Sequence, residues 1–176
     1  MYSDIAIVEY LNGFVNRTSF MNALLVFITN DLGYLLIIGA LWYSYQSYKK
    51  GEGIRAFLFL SLSALLSRLI ITEGIRLVWH RPRPFLAISS LHLIIPPPLS
   101  ASFPSGHAAF YGALAGGMYV LHRKIGAWYF VFAASIALSR VVLGVHYMSD
   151  IIAGGVVAWI SVVCMKHAWY SESSRV

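Results

Sequence analysis

Three stretches of this chain carry residues able to handle a phosphate group. Arg76 through Arg83-Pro84 supplies up to three cations, Pro104-Ser105-Gly106-His107 a helix start with an imidazole, and Ser139-Arg140 is followed by His146 and Asp150. Guanidinium forks bind phosphoryl oxygens, one imidazole can attack phosphorus, and a second can protonate the leaving oxygen. His146 and Asp150 are four apart, so on a helix they share a face. A carboxylate there fixes the imidazole tautomer and leaves the other nitrogen free to attack. Alone, such a pair is usually an ordinary capping or hydrogen-bonded pair. Arg140, six residues earlier and at the rim of apolar segments, shifts the reading toward chemistry.

Pro104 fits a first helical turn, where its missing N–H costs nothing. The amides of Ser105, Gly106 and His107 are then expected to lie unpaired at a helix N-terminus, where an anion can sit; a plain helix start is the alternative. Pro82 and Pro84 stiffen the segment that holds Arg76, Arg81 and Arg83. Arg81 and His80 are read as headgroup anchors at the membrane surface.

The elements that must position these groups are apolar helices. The chain has 176 residues, 59% hydrophobic and 11% charged, well under the roughly one quarter charged of soluble domains. Five segments approach the ~20 residues needed to cross a bilayer as a helix. They run from about Phe20 to Tyr45, Ile54 to Trp79, Pro104 to Leu121, Ile125 to Leu143 and Met148 to Trp169. Alternating polarity of the barrel type is absent. Ile5, Val8, Leu11 and Val15 follow helical spacing in a piece too short to span, which predicts a helix at the interface. The expected architecture is an all-α integral membrane protein, one domain over residues 1–176, with five transmembrane helices and this N-terminal interfacial helix. The first 16 residues carry Asp4 and Glu9 and no basic n-region, so the internal segments are expected to direct membrane entry.

The net charge of +6 does not indicate nucleic acid, because the cations are few and form no stripe with stacking aromatics. They gather instead in alternate connections: Lys49, Lys50 and Arg55; His122, Arg123 and Lys124; then Lys166 and Arg175. That side is expected to be cytoplasmic, with the C-terminus. All three motifs then fall on the outer face.

The connection from Phe85 to Ser102 is apolar and broken by Pro96-Pro97-Pro98. It either meets a lipid tail or packs on its own protein. Asp31 and Arg68 lie at similar depth inside spans and are expected to pair or to share a network with Asn30. Glu73 stands one turn from Arg76 and is expected to orient it. Gly112, Gly116, Gly117, Gly154 and Gly155 predict close helix packing. Cys164, the lone cysteine, is expected to be buried and inert. No cluster at metal-ligand spacing appears.

Arg76-x6-Arg83-Pro84, Pro104-Ser105-Gly106-His107 and Ser139-Arg140-x5-His146-x3-Asp150 together resemble the three-part signature of the type 2 phosphatidic acid phosphatase superfamily, over residues 76 to 150. Arg76 stands where that signature usually has lysine. The resemblance implies a helical membrane fold and metal-independent, cofactor-free hydrolysis of a phosphate ester or anhydride. It makes His146 the nucleophile forming a phosphohistidine, Asp150 its orienting partner, and His107 the general acid. Arg76, Arg83, Ser105, Gly106 and Arg140 become phosphate ligands. Chain length, Leu25-Val26-Phe27-Ile28-Thr29 and the Arg83-Pro84-Phe85 junction are similar to the small bacterial undecaprenyl pyrophosphate phosphatases linked to bacitracin resistance. That implies a plasma-membrane enzyme of cell-wall biogenesis acting on a lipid diphosphate. The rivals are a phosphatidate or phosphatidylglycerophosphate monoesterase and a non-catalytic lipid-binding membrane protein. Oligomeric state is not legible.

Overall fold

The structure, a computed structural model, describes residues 2–173. Helix α1 spans Tyr2–Asn12. The first span is a continuous helix, built from α2 (Ser19–Val26), a π-helical stretch Phe27–Asp31, and α3 (Leu32–Tyr48). The second has the same plan: α4 (Gly53–Leu65), a π-helical stretch Leu66–Thr72, and α5 (Glu73–Val78). A short α6 (Pro84–Ala87) interrupts the connection after it. Then come α7 (Gly106–Leu121), α8 (Arg123–Val142) and α9 (Met148–Ser173). Among the described residues there is no strand.

Among the described residues, four helices are long and apolar enough to cross a membrane: Ser19–Tyr48, Gly53–Val78, Arg123–Val142 and Met148–Trp169. The fifth expected span, α7, is shorter at 16 residues, about 24 Å. It is the centre of the bundle, packed by α4, α8 and α9. Its small residues allow this. A Cβ on Gly112 would lie 2.9 Å from the Ala158 Cβ, and one on Gly154 would lie 2.7 Å from both the Ala108 Cβ and the Ser105 carbonyl oxygen. Where lipid replaces water, close backbone approach of this kind is a main source of helix association. Gly155, by contrast, faces open space. The core of α3, α4, α7 and α8 is formed by Leu36, Leu60, Leu114, Met118, Tyr129 and Ile136, all buried.

Both π-helical stretches are pinned by hydroxyls. Thr29 Oγ1 lies 2.6 Å from Ser139 Oγ, and Ser67 Oγ donates to the Ala109 carbonyl at 2.9 Å. A π-helical turn inserts a residue and rotates the helix beyond it. Here that overturns the expected Asp31–Arg68 pair, since the depth count assumed straight α-helices. Arg68 bonds Glu73 instead, five residues on, which is the neighbour that i→i+5 geometry creates. Asn30 and Asp31 are exposed.

Helix α1 forms as expected, and its apolar stripe buries against protein. Val8 is fully buried with Val141 and Tyr147, flanked by Ile5, Leu11 and Leu91. Most of the apolar connection also packs on the chain itself: Phe85, Leu93, Ile94 and Ile95 cover Val15, Leu25, Leu143 and Val145. Asn12 locks the two together. Its side chain donates to the His92 and Val142 carbonyls and accepts from the His92 amide. Cys164 is exposed on α9, contrary to expectation; in a spanning helix an outward apolar face meets lipid. The basic residues Lys49, Lys50, Arg55, Arg123, Lys124 and Lys166 lie at the helix ends opposite the three motifs. Arg175 lies outside the described residues.

Candidate active site

The motifs converge at one end of the bundle. Helix α8 ends at Val142, and Gly144 takes φ +68, a left-handed turn that glycine adopts without strain. The chain doubles back, so the Val145 and His146 amides both donate to the Arg140 carbonyl, at 3.1 and 3.3 Å. His146 therefore precedes α9 rather than lying on it. The expected pair with Asp150 still forms, at 3.4 Å between His146 Nδ1 and Asp150 Oδ2. Asp150 is fully buried. Its Oδ2 also accepts from the Tyr147 amide at 2.9 Å and from the Ser102 hydroxyl. Its Oδ1 accepts from Arg81 Nη1 at 2.7 Å. Burial, with Arg83 and Arg140 adding to it against the opposing bond from Asp150, lowers the His146 pKa to about 4. The imidazole is neutral at physiological pH, with Nε2 on the side away from Asp150.

Arg83 faces that nitrogen, its Nη1 lying 3.3 Å from His146 Nε2. The rest of its fork is occupied: Nε donates to the Ser100 carbonyl, Nη1 to Val145 O, and Nη2 to Ser100 Oγ and Ala101 O. Burial, then Arg76 and Arg140, lowers its pKa to about 10, so it stays charged at neutral pH. Arg83 is a strut that joins the apolar connection to the His146 turn, with one edge at His146 Nε2.

The opposite wall is differently furnished. Arg76 donates through Nη2 to Pro104 O at 3.0 Å and pairs with Glu73 at 3.1 Å, so Glu73 orients Arg76 as expected. Arg140 Nη2 touches His107 Nε2. The Nε groups of Arg76 and Arg140 are buried donors with no acceptor among the described residues. Such donors suit an anion's oxygens. Ser105 caps α7, its hydroxyl accepting from the Ala108 amide. Its own amide donates to the Asp150 carbonyl at 3.0 Å. Of the three amides expected to be free, that one is therefore taken, and it stitches the second motif to the third.

Arg81 corrects an expectation. It is no headgroup anchor, because its guanidinium binds Asp150, Ser149 and Asp4 and stacks 4.0 Å over the Tyr147 ring. Asp4 also binds the Ser149 amide and hydroxyl. Although burial works against its charge, the bonds from Ser149 and Arg81 hold the Asp4 pKa below its ordinary value. His80 remains exposed. Ser102, Asp4, Ser149 and Arg68 are site neighbours that motif spacing does not reveal. An acid in the short N-terminal helix and a base inside a span are the only signals of them. Among the described residues no group of three His, Cys, Asp or Glu could hold a metal ion.

Converging arginines, an oriented neutral histidine and a helix-start histidine meet at one end of the membrane bundle. The PAP2 superfamily profile matches residues 57–173, and the chain belongs to that superfamily. It is a multi-pass membrane phosphatase. The chain is 31% identical to undecaprenyl-diphosphatase BcrC of Bacillus subtilis, over 88% of this chain and 78% of that one. Its fold is similar to that of LpxE from Aquifex aeolicus, with TM-score 0.72, 19% identity, and coverage of 92% and 93% of the two chains. It is also similar to a PAP2-type phosphatidylglycerolphosphate phosphatase of Bacillus subtilis, with TM-score 0.66, 21% identity, and coverage of 97% and 86%.

Proposed function

We propose that this lipid phosphatase hydrolyses an isoprenyl diphosphate of the undecaprenyl type, giving the lipid monophosphate and inorganic phosphate through a phosphohistidine at His146. The carrying observation is the orientation of His146, with Nδ1 toward Asp150 and Nε2 at Arg83. Similarity to an undecaprenyl-diphosphatase supports the substrate. Nε2 attacks the terminal phosphorus. The bridging P–O bond breaks, its electron pair stays on the leaving oxygen, and His107 supplies the proton. Asp150 stabilises the imidazolium character that develops at His146. Arg76, Arg140 and the Gly106 amide take the equatorial oxygens, and Arg83 adds its charge from beside His146 Nε2, so guanidinium charge does the neutralising. Ser105 shapes the helix start. Water then attacks phosphorus, giving a proton back to His107; the P–N bond breaks with its electron pair returning to His146 Nε2, and phosphate is released.

A single-phosphoryl receptor of this kind also fits a phospholipid monoester, which is the second reading. Purified protein in detergent, with chelator present, should release phosphate faster from a long-chain isoprenyl diphosphate than from phosphatidate or phosphatidylglycerophosphate. A reversed preference assigns the monoesterase. No release from any of them leaves only a lipid-binding role.

The site is assigned to the outer face of the plasma membrane, because the basic residues at the far ends mark a cytoplasmic side. In a Cys164→Ser background, a cysteine at Ser100 should react with an impermeant maleimide in intact cells, and one at Lys124 should not. The opposite pattern inverts the topology.

A further inference from the structure

Arg68 belongs to none of the three motifs, yet it stands at the site. Its guanidinium packs on the start of α7: a Cβ on Gly106 would lie 2.6 Å from Arg68 Nε and 3.1 Å from Cζ. His107 is the next residue. Arg68 shares the Glu73 carboxylate with Arg76, so two guanidiniums meet one carboxylate and a net positive charge remains. The Arg68 side chain is 33% exposed against 7% for Arg76, so its fork is open where the other is enclosed. A charge inside a span is expensive to keep unless it has a use.

One helical turn deeper lies an apolar crevice of about 170 Å³ between α3, α4 and α7, lined by Ile37, Leu41, Ala64, Leu65, Phe110 and Leu114. Phe110 is three residues beyond His107, and Ala64 and Leu65 precede Arg68 by four and three. A lipid whose tail lies in that crevice carries its first phosphate past Arg68 before its terminal phosphate reaches Arg140 and His146.

We infer that Arg68 receives the lipid-borne phosphate of a diphosphate and thereby selects diphosphates over monoesters. The inference rests on the diphosphatase reading of this same site. In-line attack by His146 expels the leaving group on the His107 side, where Arg68 stands. For a diphosphate that leaving group is a phosphate monoester anion, whose charge the guanidinium offsets. For a monoester it is a protonated alcohol, which needs no cation.

The test is kcat/KM of the full-length protein in detergent on an isoprenyl diphosphate and on the monophosphate of the same alcohol, for wild type, R68Q and R68K. Thermal unfolding is recorded for each. The ratio of diphosphate to monophosphate kcat/KM should fall at least about tenfold in R68Q, as expected when a charged contact made by only one substrate is removed. It should fall about threefold in R68K, where charge stays but the fork is lost. Equal losses on both substrates would make the Arg68–Glu73 pair merely structural and overturn the inference, as would an unchanged ratio. Should R68Q not fold, the R68K ratio decides by the same criterion. A wild type inactive on diphosphate would instead sink the parent reading, a result visible before any variant is made.

Discussion

The two walls of the site use arginine in opposite ways. On the His146 side, Arg81 and Arg83 are tied to carboxylates, carbonyls, hydroxyls and an aromatic face. On the other wall, Arg76 and Arg140 are buried like Arg83, but each keeps an unmatched Nε. Under the proposed mechanism, identical chemistry serves as scaffold in one place and as anion receptor in the other. What separates them is how many acceptors the fold supplies. The proposed mechanism needs the nucleophile held still and the receptor incomplete until a phosphate arrives. The comparison is therefore between satisfied and unsatisfied donors, and it can be broken by substitution.

The largest expected effect belongs to His146, where both walls act. His146→Ala should reduce kcat by about 10⁴-fold or more, as removal of a nucleophile does, while the purified protein keeps wild-type helical circular dichroism. Near-normal turnover would remove the nucleophile assignment.

Next come the arginines, which should part company. Arg83→Ala should abolish most activity and also destabilise the fold, by about 3 kcal/mol, because several buried acceptors lose a charged donor together. Arg140→Ala should lower kcat/KM by about 10²–10³-fold, the scale of one charge-stabilising donor. Its thermal midpoint should stay level or rise, since a buried, incompletely matched charge is removed. Thermal unfolding beside kinetics separates the two; equal midpoint losses would erase the distinction between the walls.

Ser102→Ala removes one bond to Asp150 and should cost about 1 kcal/mol of stability. It should slow kcat by less than about tenfold, because Arg81 and the Tyr147 amide still hold the carboxylate. A loss as large as that of His146→Ala would mean that the hydroxyl itself enters the chemistry.

The last effect is a pH dependence of stability. The unfolded chain protonates His146 near 6.5 and the folded protein only at about 4. In that window the unfolded state binds more protons, so stability falls as pH drops from 6.5 toward 4 and is fully present above 6.5. Imidazole nitrogen shifts should show His146 neutral at pH 5.5, and His146→Ala should flatten the stability slope in that window. A protonated ring at pH 5.5 would contradict the burial that sets its state.

The residues of the candidate site are legible in the sequence because their types are rare in apolar segments. Arg76, His107, Arg140, His146 and Asp150 stand out by type and spacing, and they do gather. The five helical segments are legible from length and hydropathy, with α7 the shortest. The π-helical stretches are not, since the polar residues they contain, Thr29, Asn30 and Asp31 in one and Ser67, Arg68 and Thr72 in the other, do not by themselves signal an inserted residue. Their rotation moves Arg68 from Asp31 to Glu73. The partners of the scaffold wall are also hidden. Arg81 reaches Asp4 across 77 positions of sequence and Asp150 across 69, and no local pattern encodes such contacts. The Ser105 amide illustrates the limit of a helix-start rule, because the donor it leaves free is taken by the Asp150 carbonyl of another helix.

The most direct measurement is acid-and-base stability mapping of a trapped phosphoenzyme, formed by rapid quench after mixing with substrate labelled in its terminal phosphate. Label that is acid-labile, alkali-stable and located at His146 is the predicted result, absent in His146→Ala. Label on another residue, or turnover in which retained stereochemistry at phosphorus is replaced by single inversion, would contradict transfer through His146.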